Sequence, residues 1–257
     1  MDLLYIILPA LIAGISVSLS HAALGREVLK RGIIFIDLAI AQIAAVGIII
    51  SRTYMHHEEE LILGFLKLDQ IFAFIFAISA AYFFMSIEKT SRNIQEAVIG
   101  CSFIVSVSVA ILLVAHDPHG GAQIEAVLSG QILWASWKDI IAMAIASASA
   151  LLIWSRCDKE RKKRFFYPLF AICVTFSVQL VGVYLVFASL IFPAIATFKL
   201  SKNRLFWAYI VSILSYAIGI IVSYYMDFPT SPVVIISFVL VVVVFLALAS
   251  KFKMIRN

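Results

Sequence analysis

The sequence predicts an all-α integral membrane protein of about eight to nine transmembrane helices, with one short or broken pair among them. Of its 257 residues, 63% are hydrophobic and only 14% are charged, against about 45–50% and about 25% in soluble domains. Too little polar surface is left to clothe a water-soluble globule. Apolar stretches long enough to cross about 30 Å of hydrocarbon recur along the whole chain. The basic residues also fall almost entirely on alternate loops, as the positive-inside rule requires.

The spans follow in order. Residues 3–22 form an apolar run with no basic segment before it and no small-residue cleavage site after it, so it reads as a retained span and not a signal peptide. Further spans are expected at 32–51, 70–87, 97–115, 140–155, 165–181, 183–198, 205–226 and 231–250. The pair 165–181 and 183–198 is short, so one or both members should be tilted, broken or re-entrant. Between 123 and 137, Ile124, Val127, Leu128, Ile132 and Leu133 follow helical spacing, which predicts an amphipathic helix along the outer membrane surface. It reads either as the cover of a gate or as a plain interfacial connector. With no soluble domain, linker or internal repeat in view, residues 1–257 are expected to form one transmembrane domain.

Loop charge orients the set. Placing the N-terminus outside puts Arg26, Lys30 and Arg31 on the inner side, with Lys89 and Arg92, the basic run 156–164, Lys199, Lys202 and Arg204, and finally Lys251, Lys253 and Arg256. Only Arg52, Lys67 and Lys138 then lie outside. Such asymmetry predicts an external N-terminus and a cytoplasmic C-terminus, and it asks for two crossings between Arg164 and Lys199. Trp134, Trp137, Trp154 and Trp207 sit at span ends, at headgroup level. Read this way, the net charge of +5 reports topology and not nucleic-acid binding. Cys101, Cys157 and Cys173 lie in or beside apolar segments without C-x-x-C spacing, so no disulfide framework is expected.

Three groups of residues have chemistry to offer. Asp37 is the one formally charged residue inside the spans as drawn, and an aspartate at a helix centre costs about 2.5–3.5 kcal/mol on insertion scales. Gln42 follows, about 140° further round the helix. The pair reads either as polar contacts on a translocation path or as helix-packing hydrogen bonds. In the outer loops, His56, His57, His116 and His119, with the glutamates at 58–60 and Asp117, offer imidazole and carboxylate ligands of the kind that bind Zn²⁺ or Mn²⁺. The alternatives are a solvated loop at 56–60 and a turn at 116–121, where Asp-Pro and Gly-Gly are turn chemistry. Absences are informative as well. The chain has no G-x-x-x-x-G-K-[ST] phosphate loop, no H-E-x-x-H and no G-x-S-x-G, so it is not expected to hydrolyse ATP itself.

Several segments, taken together and in order, resemble the permease subunits of the zinc, manganese and iron ABC importers. They are Leu24 to Gly32 leading into Asp37 to Gly47, Asp117-Pro118-His119-Gly120 with Ser129-Gly130-Gln131-Ile132-Leu133-Trp134, Val181-Gly182 through Phe192-Pro193-Ala194, and Asp227-Phe228-Pro229-Thr230. The resemblance covers nearly the whole chain. It implies a permease similar in architecture to the membrane subunit of the vitamin B12 importer, working as a homodimer in a bacterial inner membrane with cytoplasmic ABC ATPase subunits and an external metal-binding protein. It makes the stretch from Ala194 through Lys199, Ser201 and Arg204 the coupling segment on the ATPase. The expected cargo is a divalent metal and no cofactor is held permanently; zinc is favoured on the outer histidines, with Mn²⁺ or Fe²⁺ as alternatives. Many members carry Asp-x-x-x-His on the second span. Here Gln42 stands at the histidine and Leu38 at the aspartate, with Asp37 one residue early. An ion-coupled secondary carrier acting alone and a non-transporting scaffold are the rival classes.

Overall fold

A computed structural model of the chain describes residues 2–55, 61–62, 66–130, 132–200 and 202–251. The described elements are overwhelmingly helical: α1 Asp2–Arg31, α2 Ile36–Met55, α3 Leu68–Ser86, α4 Arg92–Leu113, α5 Gly120–Ser129, α6 Trp137–Arg156, α7 Lys159–Val181, α8 Val183–Thr197, α9 Arg204–Met226 and α10 Thr230–Lys251. A 3₁₀ turn, Ile132–Trp134, lies between α5 and α6. One two-residue antiparallel hairpin precedes α3, with Leu61 opposite Lys67 and Ile62 opposite Leu66.

Eight of these helices are long and apolar enough to cross a membrane. The ninth apolar helix, α8, has 15 residues, about 22 Å at 1.5 Å per residue, and is therefore the short member of the expected pair. It is separated from α7 by Gly182 alone, whose φ of +80° ends one helix and starts the next. α1 runs nine residues beyond the expected end of its span. Its polar extension is held by Arg31, which pairs with Glu27 at 3.2 Å and with Glu88 of the α3–α4 turn at 2.6 Å and lies 4.2 Å over the Phe166 ring of α7.

The helices form two groups meeting at a shared centre. α2 packs on α3, α4 and α7, while α1 packs on α6, α8 and α9, and α10 closes against α8 and α9. α1, α2 and α7 are the most enclosed of the long helices and α4 the least. Apolar side chains left exposed on α4 and α10, such as Ile104, Leu112, Leu240 and Val243, form the surface presented to lipid. Small residues let the central helices approach closely. A Cβ at Gly25 of α1 would sit 2.0 Å from the Leu190 carbonyl oxygen of α8, and one at Gly47 of α2 would sit 2.8 Å from the Phe72 carbonyl oxygen of α3.

The amphipathic helix expected over 123–137 is broken in two. α5 stops at Ser129 because Gly130 takes a φ of +64°, and the chain resumes as the 3₁₀ turn. Gly130 crosses the α7–α8 break at backbone contact: a Cβ there would lie 2.2 Å from the Val181 carbonyl carbon, and a Cβ at Gly182 would lie 2.4 Å from the Gly130 nitrogen. Ser231, at the start of α10, donates to the Ser129 carbonyl and also lies 3.1 Å from the Val181 carbonyl. Three separate segments are thus locked together at one end of the bundle. On the charge-based orientation this is the outer end.

Candidate transport site

Asp37 lies in the first turn of α2 and not deep within the span, because the helix begins only at Ile36. That explains how a carboxylate is tolerated there, since the free N–H groups and positive dipole end of a helix favour an anion. Its side chain is fully buried, and neither carboxylate oxygen has a hydrogen-bond partner among the described residues. Gln42 is 3% exposed, and its Oε1 is likewise unpartnered. The two do not converge. Gln42 shares a helical stripe with Ile49, about 20° apart in projection, and Ile49 packs with Ala110 of α4 and with Val114 just after it. Asp37 shares its stripe with Ile48, also about 20° away.

Ile48 lines a cavity of about 260 Å³ among the far ends of α2, α3, α5, α6 and α7. Its polar lining includes Arg52, Lys67, Asp69, Gln70, Asp139 and Gln179. Arg52 pairs with Asp69 at 3.1 Å, and among the described residues Asp69 Oδ1 and Gln179 Nε2 are buried without partners. None of these was singled out from sequence. Asp69 and Asp139 open their helices and resemble ordinary first-turn acids, while Gln179 lies within an apolar run, so only the fold brings them together.

The histidines separate into different environments. His116 and His119 are exposed beside α5. Between them, Asp117 uses both carboxylate oxygens locally, accepting from the His119 backbone N–H at 2.8 Å and from Gln123 Nε2 at 2.7 Å, which is the expected turn. His56 and His57 lie outside the described residues. Among the described residues, no three His, Cys, Asp or Glu side chains are grouped to hold a metal. All three cysteines are free.

His21 falls next to the end of the span expected over 3–22, but α1 continues past it and leaves it about 15 Å short of Arg31. It is fully buried, with Nδ1 2.6 Å from Ser189 Oγ of α8 and Nε2 3.1 Å from Ser177 Oγ of α7. Polar neighbours continue the pattern. Ser147 of α6 donates to the Ser16 carbonyl at 2.7 Å and lies 3.0 Å from Ser20 Oγ, and Ser18 pairs with Ser212 of α9 at 2.8 Å.

At the opposite end from the cavity, Ala194 is buried within α8, Lys199 is exposed in the turn that follows, and Arg204 opens α9. Arg204 Nε donates to the Leu200 carbonyl at 2.5 Å, and Asn203 takes a left-handed conformation, so the connection between α8 and α9 is short and folded back on itself. Ser201 lies outside the described residues.

Eight long apolar helices packed around buried polar groups define a multi-span helical membrane protein. The chain belongs to the ABC 3 transport family, whose model matches residues 4–249. It is 26% identical over 196 residues to the chelated iron transport system membrane protein YfeC of Yersinia pestis, covering 75% of this chain and 60% of that protein. Identity to the manganese transport system membrane protein MntB of Synechocystis is 24% over 186 residues, covering 64% of this chain and 60% of that protein. The chain thus spans about 60% of the length of these two relatives. Its fold is similar to a chain of PsaBC from Streptococcus pneumoniae solved in complex with a Fab, with a TM-score of 0.73 at 19% identity over 95% of this chain and 94% of that one. It is also similar to an inward-facing putative metal-chelate type ABC transporter, with a TM-score of 0.62 at 15% identity over 95% of this chain and 85% of that one.

Proposed function

We propose that the chain is the permease subunit of an ATP-driven divalent metal importer, working as a homodimer in a bacterial inner membrane. A separate cytoplasmic ABC ATPase hydrolyses the nucleotide, and an external binding protein delivers the metal. The family match over nearly the whole chain carries this reading. The lack of a phosphate loop in the sequence agrees with it. Metal leaves the binding protein at the face bearing the 260 Å³ cavity, follows the Asp37 stripe of α2, and is released at the cytoplasmic side. Asp37 and Gln42 supply polar contacts along α2, Asp37 on the stripe that reaches the cavity and Gln42 on the α4 side. The ATPase seats on residues 194–204.

The cargo follows from the donors. Zinc is supported by the outer histidines, of which His116 and His119 are exposed and free to meet an incoming ion. The buried donors on α2 are a carboxylate and a carboxamide, which suit the harder Mn²⁺ and Fe²⁺ better than an imidazole-rich set would. Relatives named for iron and manganese transport agree. Manganese or ferrous iron is therefore the reading that the interior supports, with zinc the second.

A cysteine crosslinking scan with the partner ATPase tests the assembly. Crosslinks are expected from residues 194–204. Crosslinks confined to the basic run 156–164 would move the coupling site one inner loop earlier. Uptake assays with Mn²⁺, Fe²⁺ and Zn²⁺ in competition test the cargo, and exclusive zinc transport would reverse the order given above.

A further inference from the structure

We propose that His21 is a positioning residue for transport, a pin that makes α1 move with α8 so that the ATPase stroke delivered at residues 194–204 reaches the centre of the bundle. The proposal rests on that coupling assignment.

An ionisable side chain fully buried in a membrane helix is expensive to place and marks function more often than packing. His21 has both ring nitrogens in hydrogen-bond contact, one with each helix of the α7–α8 pair. It is therefore a direct side-chain link between α1 and both helices on either side of the Gly182 break.

The proton inventory makes this joint switchable. Ser189 Oγ is placed to donate to the Val186 carbonyl at 2.9 Å, and Ser177 Oγ to the Cys173 carbonyl at 2.8 Å. Each hydroxyl has one proton, and a neutral imidazole has one donor nitrogen and one acceptor nitrogen. One of the two serines must therefore turn its proton onto the ring and release its carbonyl. Which serine does so exchanges with the tautomer, and the exchange needs only hydroxyl rotation and a proton shift on the ring. The pin can thus hold α7 and α8 in two alternative bonding patterns without losing either helix.

α8 has the form of a lever. Its outer end is fixed where Gly182 crosses Gly130 and Ser231 ties the two segments. Its inner end, Ala194 to Thr197, is the first part of the coupling segment. Ser189 lies midway. Pro193 has no N–H to give to the Ser189 carbonyl, so α8 lacks a ladder bond at the very turn that His21 holds and bends there most easily. One turn further along α1, Gly25 meets the Leu190 carbonyl at backbone contact, so α1 and α8 are engaged over two successive turns on one face.

The test uses the permease co-reconstituted with its ATPase and external binding protein in proteoliposomes, measuring Mn²⁺ uptake and ATP hydrolysis in parallel, or Fe²⁺ or Zn²⁺ where the wild type prefers it. His21→Leu is expected to keep hydrolysis within twofold while metal moved per ATP falls at least tenfold. His21→Gln, which restores a donor and an acceptor, is expected to recover part of that ratio. Ser189→Ala should lower the ratio alone and add nothing in the His21→Leu background, as partners in one contact do. A ratio within twofold of wild type for His21→Leu, or a full additive loss on adding Ser189→Ala, overturns the proposal. If His21→Leu does not assemble, Ser189→Ala alone decides, since it removes one oxygen and little volume: a lowered ratio supports the pin and an unchanged one overturns it. A parallel Lys199→Ala, Arg204→Ala variant separates the two readings, because normal ATPase binding and coupling in that variant rejects the coupling segment, whereas a normal ratio in the His21 and Ser189 variants rejects the pin.

Discussion

A carboxylate buried in the first turn of a helix has two uses. It can satisfy the helix's own free N–H groups, and it can meet a passing cation. Asp37 is fully enclosed, with neither oxygen partnered among the described residues, and substitutions separate the two roles. Asp37→Ala is expected to reduce metal uptake at least tenfold with membrane insertion and ATPase binding intact. Asp37→Asn keeps a capping oxygen but not the charge, so uptake restored to near wild type in that variant would assign the residue to capping, worth about 0.5–2 kcal/mol, and not to the path. Gly182 makes a purely steric case. A methyl group there meets the Gly130 backbone at 2.4 Å in a left-handed conformation, so Gly182→Ala should lose at least about 1–3 kcal/mol from backbone strain alone and aggregate on extraction. Gly121→Ala, with nothing within 4 Å of the new atom, should stay soluble on extraction as wild type does.

At the scale of elements, α8 runs directly into the short turn that precedes α9. Lys199 is exposed in the turn while Arg204 braces it through the Leu200 carbonyl. Replacing both with alanine is expected to weaken copurification of the ATPase or to uncouple its hydrolysis, with delivery at the outer face unaffected; a complex that copurifies and couples normally contradicts this. Every long helix was legible in the sequence, because a bilayer demands about 20 apolar residues per crossing and hydropathy reports that directly. The shortness of α8 was legible for the same reason. The break of the amphipathic segment at Gly130 was not, since only its crossing with Gly182 requires the positive φ. The polar centre was hidden as well. His21 looked terminal because the polar residues that continue α1 to Arg31 are made helical by ion pairs and by the Phe166 stack, which hydropathy does not register. Asp37 looked deep because the chain from Gly32 to Phe35 reads as apolar, whereas Gly32 takes a φ of +73° and the helix starts after it.

For the whole molecule, the two groups of helices meet along α1, α2, α7 and α8 around buried polar side chains, with apolar side chains exposed on the outer faces. The orientation proposed from loop charge is tested by cysteine labelling in intact cells. Positions beside Glu59 and Gln123 should react from outside and positions beside Lys162 only after permeabilisation, and external labelling at 162 would invert the molecule. The central claim, that this chain carries metal at the expense of ATP hydrolysed by another subunit, is met most directly by reconstitution. Proteoliposomes containing the chain, its ABC ATPase and its external binding protein should accumulate Mn²⁺, Fe²⁺ or Zn²⁺ only when ATP is supplied on the ATPase side, and should accumulate none when the ATPase is omitted. Metal uptake by the chain alone, driven by an ion gradient and indifferent to ATP, would contradict it.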